Sequence, residues 1–155
     1  MTPETQRSVE DLHSRYVHAI DAGRLEDWPD FFAEDGIYRV TTAENEERGL
    51  PLPVLYADSR AMLRDRVQSL RHANIYEPQR YRHLVSSTLL TPLENGKVRS
   101  VSNFLVIRVM QSGDAMLFAS GRYVDRIVLS PAPLYEERVV VCDSRRFDTL
   151  LAIPL

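Results

Sequence analysis

Tyr81-Arg82-His83-Leu84-Val85-Ser86-Ser87 is where the pattern of this 155-residue chain changes. Ahead of it, apolar residues recur every three or four positions, the mark of helices with one buried face. From Tyr81 onward the period falls to two, which predicts strands at about 81–91, 97–111, 115–129 and 134–143. Turn signals separate them: Glu94-Asn95-Gly96, Gln111-Ser112-Gly113-Asp114 and Ser130-Pro131-Ala132-Pro133. Long strands of this kind twist and curl. The opening stretch also sets a cation, an imidazole and two hydroxyls on a strand, at the seam between helices and sheet.

Upstream, residues 3–22 read as one helix with Val9, Leu12, Tyr16, Val17 and Ile20 along a face; Thr2 suits its cap, Pro3 its first turn and Gly23 its end. A short second helix carries Leu25, Trp28, Phe31 and Phe32 inward, with Pro29 confined to its first turn. Glu34-Asp35-Gly36 turns the chain into a brief strand over 37–42, and the proline- and glycine-bearing stretch 43–57 reads as an exposed loop. Asp58 or Ser59 starts a third helix containing Met62, Leu63, Val67 and Leu70. Helices first and a meander of long strands afterwards give an α+β fold: one domain over 1–155, with helices packed on the concave face of a strongly curved, mostly antiparallel sheet.

Composition narrows the function classes. A chain of this length buries roughly 70% of its unfolded surface, enough for a core without disulfides or metal. The net charge of -3 gives no basic footprint for nucleic acid and no polybasic membrane anchor. No apolar run approaches the ~20 residues of a membrane helix, and Met1-Thr2-Pro3-Glu4 lacks the order of a secretory signal. A single cysteine, Cys142, cannot form an internal disulfide and fits a reducing compartment, so the cytoplasm is expected.

Of the residues able to carry chemistry, the histidines come first. His13 and His18 are five apart on a helix and diverge by about 140°, and no Cys, Asp or Glu spacing completes a site with His72 or His83. Even a Rieske cluster needs two cysteines and two histidines. Ser86 and Ser87 lie near His83, but no nucleophile elbow, P-loop or dinucleotide fingerprint is present. An acid/base site inside the curled sheet, built from His83, Asp35 and Tyr38 or Tyr123, stands beside the plainer reading that Trp28, Phe104, Leu105, Ile107 and Phe118 fill that space. The charged strand residues Arg108, Arg122, Asp125, Arg126, Glu136, Glu137 and Arg138, with Tyr123 and Tyr135, read as an outer face that either docks a subunit or is solvated.

Several separated blocks, in order, resemble one family. They are Trp28-Pro29-Asp30-Phe31-Phe32, Ile37-Tyr38-Arg39-Val40, Tyr56-Ala57-Asp58-Ser59, Tyr76-Glu77 with Tyr81-Arg82-His83-Leu84, and Cys142-Asp143-Ser144 with Ile153-Pro154-Leu155. Together they are similar to the small (β) subunits of aromatic-ring-hydroxylating dioxygenases, closest to the terephthalate and anthranilate branch. The resemblance implies an NTF2-like (cystatin-like) cone and a non-catalytic role. It also implies a large (α) subunit that holds the Rieske [2Fe-2S] cluster and mononuclear Fe(II), joined as α3β3 and served by a reductase. No catalytic, cofactor or metal residue is then expected in this chain. Tyr81, Arg82, His83, Arg122 and Arg138 are expected in a structural or interface network. Relatives often carry Ser-Asn where Ser86-Ser87 stands here. Two rival readings remain: a freestanding lyase or isomerase using His83 and Asp35, and a self-associating small-ligand binding module.

Overall fold

Thr2 starts the first helix by accepting the Thr5 N–H on its side-chain oxygen at 3.2 Å, and Pro3 occupies the first turn, where its missing N–H costs nothing. The computed structural model describes residues 1–50, 53–72, 78–144 and 153–155, so Tyr76 and Glu77 lie outside the described residues. Helix α1 (Pro3–Asp21) buries Val9, Leu12, Tyr16, Val17 and Ile20, as their spacing requires. Leu25–Phe31 is a 3-10 helix rather than an α-helix, and its tighter turn accommodates Pro29 in the interior. Strand β1 (Phe32–Thr42) begins five residues earlier than the sequence pattern suggests. The expected loop contains a short helix α2 (Ala43–Glu47) and a strand β2 (Leu55–Ala57); α3 (Arg60–His72) follows.

The second half is the meander: β3 (Gln79–Pro92), β4 (Lys97–Met110), β5 (Ala115–Val128) and β6 (Leu134–Cys142). The six strands form one sheet in the order β2-β1-β6-β5-β4-β3, antiparallel throughout except that β1 runs parallel to β6. Helix α1 lies against β3, and α3 packs on β1 and the 3-10 segment, closing the concave side. No described helix is long and apolar enough to cross a membrane.

Side-chain alternation decides what fills that side. On β4 the inward set is Val98, Ser100, Ser102, Phe104, Val106 and Arg108, all buried. Phe104 and Trp28 are core residues as expected, whereas Leu105 and Ile107 stand half-buried on the outer face. Their parity is opposite to that of Phe104, so one strand cannot send all three inward.

A larger correction concerns Tyr123, Asp125, Tyr135 and Arg138. Read as outer-face residues by their polarity, Tyr123 also as an inward alternative, all four are buried inside the cone, at 2% exposure or less. On β5, Tyr123, Asp125 and Ile127 share one parity, and the apolar member takes the other two inward with it. On β6 the cause is a bulge. Arg126 pairs with Glu137 and Ile127 with Tyr135, so Glu136 has no partner and the alternation resets, letting Tyr135 and Arg138 both face in. Arg108 is likewise buried, its guanidinium 4.6 Å above the Phe118 ring.

Candidate functional site

The centre of the cone is held by Arg138. Its guanidinium lies 3.7 Å from the ring centre of Tyr123, 4.2 Å from Tyr135 and 4.4 Å from Tyr16, an aromatic cage on a cation with no exposure. Asp125, directly opposite on β5, accepts from Nε and Nη2 at 2.9 Å each. Burial pushes the Asp125 carboxyl above its ordinary value, against the pull of Arg138. Burial also opposes the charge on Arg138, but Asp125 overrides it and keeps the guanidinium's pKa well above its ordinary value.

His13, on the inner face of α1, completes the cluster. Arg138 Nη2 can only donate, so at 3.2 Å it marks His13 Nδ1 as the bare nitrogen, which also accepts from the Tyr135 hydroxyl at 2.7 Å. The proton therefore sits on Nε2, which donates to Ser100 Oγ at 3.1 Å, with Ser102 Oγ at 3.3 Å. Burial first, and the Arg138 charge second, hold His13 well below the usual imidazole range, so it is neutral.

Around this cluster the hydroxyls are tied to the chain itself. Trp28 Nε1 donates to Tyr16 Oη at 3.0 Å, and Tyr16 and Tyr38 donate to the main-chain oxygen of Leu155 at 2.9 and 3.1 Å. Leu155, fully buried, seals this end with Ile153. Burial raises the Tyr16, Tyr38, Tyr123 and Tyr135 phenols above their ordinary values, so none ionises near neutrality.

The residues singled out by sequence fall into separate places. Tyr81, His83 and Arg138 face the interior; Arg82 and Arg122 are exposed on the outer face. Tyr81 packs its ring 5.3 Å from Phe118 and 6.0 Å from His83. The carboxylate that meets His83 is Asp21 rather than Asp35: Oδ1 accepts from Nδ1 at 2.6 Å, and Oδ2 accepts the His83 main-chain N–H at 2.8 Å. Asp35 is exposed on β1, and β6, β5 and β4 lie between β1 and β3 in the sheet. The trio His83, Asp35 and Tyr38 is therefore not assembled. Asp21 escaped sequence reasoning because it reads as an ordinary helix-end acid. The signal lay in its place at the end of α1, where it reaches the outer edge of β3.

Strands β3 and β5 each carry a local irregularity. Ser87 sits at φ 57°, left-handed, in the bulge between Ser86 and Leu89. Gly121 on β5 passes so close to β6 that a Cβ there would lie 1.9 Å from the Val141 main-chain oxygen. Among the described residues no group of three His, Cys, Asp or Glu could hold a metal ion. With one cysteine in the sequence, the donor set of an iron–sulfur cluster does not fit this chain.

The comparisons with known proteins agree on one lineage. The SnoaL-like domain family matches residues 2–135. The anthranilate 1,2-dioxygenase small subunit of Burkholderia cepacia is 39% identical over 145 residues, 93% of this chain and 90% of its own. The terephthalate 1,2-dioxygenase terminal oxygenase component subunit beta 1 of a Comamonas species is 40% identical, over 93% and 94%. The crystal structure of a Novosphingobium aromaticivorans beta subunit, assigned to an aromatic-ring-hydroxylating dioxygenase, superposes with a TM-score of 0.89 at 36% identity over 97% of both chains. The chain thus belongs to the SnoaL-like family, among the small subunits of aromatic-ring-hydroxylating dioxygenases.

Proposed function

We propose that this chain is the small subunit of a terminal oxygenase component that hydroxylates an aromatic acid in the cytoplasm. Its large subunit carries the Rieske [2Fe-2S] cluster and the mononuclear Fe(II), takes electrons from a reductase and joins it as α3β3. The similarity to anthranilate and terephthalate dioxygenase subunits supports the substrate class. The observation that carries the mechanical role is the polar cluster at the centre of the cone. Arg138, its three aromatic rings, Asp125 and His13 occupy that centre and are bonded to one another.

A subunit of this kind works by shape. The cage and ion pair fix β5 against β6, Asp21 fixes α1 against β3, and Leu155 ties Tyr16 to Tyr38. Rigid elements hold an interface in register at low entropic cost. The test is co-expression with the Rieske-bearing large subunit, followed by sizing and iron content. The two should purify together, and a His83→Ala variant should lower the yield of complex while leaving turnover per intact complex unchanged. An intact, iron-replete His83→Ala complex that is inactive, or an isolated small chain that transforms a substrate, overturns the proposal.

A further inference from the structure

Beside the Arg138 cluster, two phenols converge on one oxygen. Tyr16 on α1 and Tyr38 on β1 both donate to the main-chain oxygen of Leu155, at 2.9 and 3.1 Å. Neighbouring bonds fix the direction of each. Trp28 Nε1 can only donate and reaches Tyr16 Oη at 3.0 Å, which leaves the Tyr16 proton for Leu155. Tyr38 Oη accepts the Leu155 N–H at 3.2 Å, which leaves its own proton for the oxygen of the same residue. Burial keeps both phenols protonated, so the two remain a donor pair across the neutral range.

This arrangement recognises a chemical group. A hydroxyl that accepts an N–H and donates to the oxygen on the other side of the same Cα reads the unit N–Cα–C=O, which is the signature of an acylated amino acid. The apolar part of the unit is read by burial. Leu155 has no exposure and Ile153 only 9%, and both belong to the core that contains Tyr16, Trp28, Phe32 and Tyr38. Trp28 and Phe32 stand perpendicular to Tyr38, with ring centres 5.1 and 6.0 Å from it, so the phenol is held in place edge-to-face.

The partners lie 139 and 117 positions apart in sequence. Leu155 therefore reaches its site as a ligand does, arriving from a distant part of the chain on a surface that α1, the 3-10 segment and β1 have already formed. Pro154 fixes one backbone angle of the arriving strap, which lowers the entropic cost of seating it.

We infer that Tyr16, Tyr38 and Trp28 form a binding site for an N-acylated, branched apolar amino acid, filled in this structure by the chain's own Ile153-Pro154-Leu155. The inference goes beyond the small-subunit reading and does not depend on it. Strap and free ligand compete for the same donors. A free ligand binds only those molecules whose strap is out, and its apparent affinity falls by that fraction.

Removing the strap tests the site. A chain ending at Ala152 is titrated by calorimetry with acetyl-Ile-Pro-Leu, with the amide of that peptide, and with acetyl-Ile-Pro isopentylamide, which keeps the N–H and the branched side chain but lacks the final carbonyl. Circular dichroism confirms the fold, and the fluorescence of Trp28 reports on the site. Both carbonyl peptides should bind and should raise the thermal midpoint of the shortened chain; whichever is tighter decides whether the site prefers an acid or an amide. The isopentylamide should bind about tenfold or more weakly, because two buried donors lose their acceptor. The same loss of about tenfold is expected for acetyl-Ile-Pro-Leu on a shortened Tyr16→Phe/Tyr38→Phe chain, and on the whole chain, whose site is filled. A folded shortened chain that binds neither carbonyl peptide, an isopentylamide that binds as well as they do, or a whole chain that binds them as tightly as the shortened one each overturns the inference. A second measurement serves if the shortened chain does not fold. In the full-length Tyr16→Phe/Tyr38→Phe variant, which keeps both rings, carboxypeptidase should release Leu155 about tenfold or more faster than from wild type, and equal rates overturn the inference.

Discussion

Replacing Asp125 with Asn strands a guanidinium in the middle of the cone. Arg138 has no exposure and cannot lose its proton, so the charge remains when its counter-ion goes. An Asn oxygen can restore one of the two 2.9 Å bonds, and the rings of Tyr16, Tyr123 and Tyr135 still face the cation. Neither restores the lost charge. Breaking a buried pair in this way costs about 3–5 kcal/mol, against a total of about 5–15 kcal/mol for a domain of ordinary stability. The reverse change, Arg138→Met, leaves a carboxyl that burial already pushes upward and that can take a proton. Its cost is therefore smaller, and it depends on pH. With a folded-state pKa above the unfolded value, Asp125 in that variant binds its proton first in the folded protein, so the variant gains stability relative to wild type as pH falls through the folded pKa. Urea denaturation at about pH 7 and pH 5, followed by circular dichroism and by the buried Trp28, measures both variants. An Asp125→Asn variant within about 1 kcal/mol of wild type, or an Arg138→Met variant as damaged as Asp125→Asn at the lower pH, would falsify the reasoning.

Other perturbations have defined outcomes. Neutral His13, held below the usual imidazole range, is resisted by acid: the unfolded chain takes its proton below about pH 6.5 while the folded one does not, so stability should fall with decreasing pH by up to about 1.4 kcal/mol per unit. A His13→Gln variant should lose that slope in urea midpoints measured across the same window. Gly121→Ala drives a methyl into the Val141 main-chain oxygen and should cost about 3 kcal/mol or prevent soluble expression, whereas Ser120→Ala beside it should cost under about 1 kcal/mol. Ser87→Asn should raise the thermal midpoint, because asparagine tolerates the left-handed conformation held at φ 57° better than serine; the gain is a few tenths to about 1 kcal/mol, and no gain would place the strain elsewhere.

The period change at Tyr81 was enough to locate β3 to β6 within two residues of their ends, because turn chemistry and alternation agree there. The helix over 3–22 was equally legible, since Thr2, Pro3 and the Val9–Ile20 face all point the same way. The parallel pairing of β1 with β6 was not, because it joins residues about a hundred positions apart and leaves no local mark. The interior was misread for a specific reason. Arginine and aspartate on a strand ordinarily face water, and here two of them share a buried bond whose partners lie on different strands. Reading Tyr123, Asp125 and Ile127 as one parity would have found Asp125; no such rule finds Arg138, because the bulge at Glu136 breaks the alternation that leads to it. His83 lies at the seam between helix and sheet, but its partner Asp21 belongs to the other half of the chain and gives no local signal.

An acid/base enzyme built on this cone would need a free lone pair or acidic proton facing open space at the level of the cluster. His13 has both ring nitrogens committed, one to Arg138 and Tyr135 and the other to Ser100 and Ser102. Both Asp125 oxygens accept from Arg138, and Tyr16 and Tyr38 donate to Leu155. A cation seated 3.7–4.4 Å from three ring centres is in van der Waals contact on every one of those sides, which leaves no layer for a substrate between them. His13, Asp125, Tyr16 and Tyr38 are turned on their neighbours, and the product is stiffness; the buried Tyr123 hydroxyl and His83 Nε2 have no hydrogen-bond partner among the described residues, but the Tyr123 ring lies against Arg138 and the His83 ring is held by Asp21. Stiffness in the interior is what a subunit needs if its surface is to meet a neighbour without rearranging.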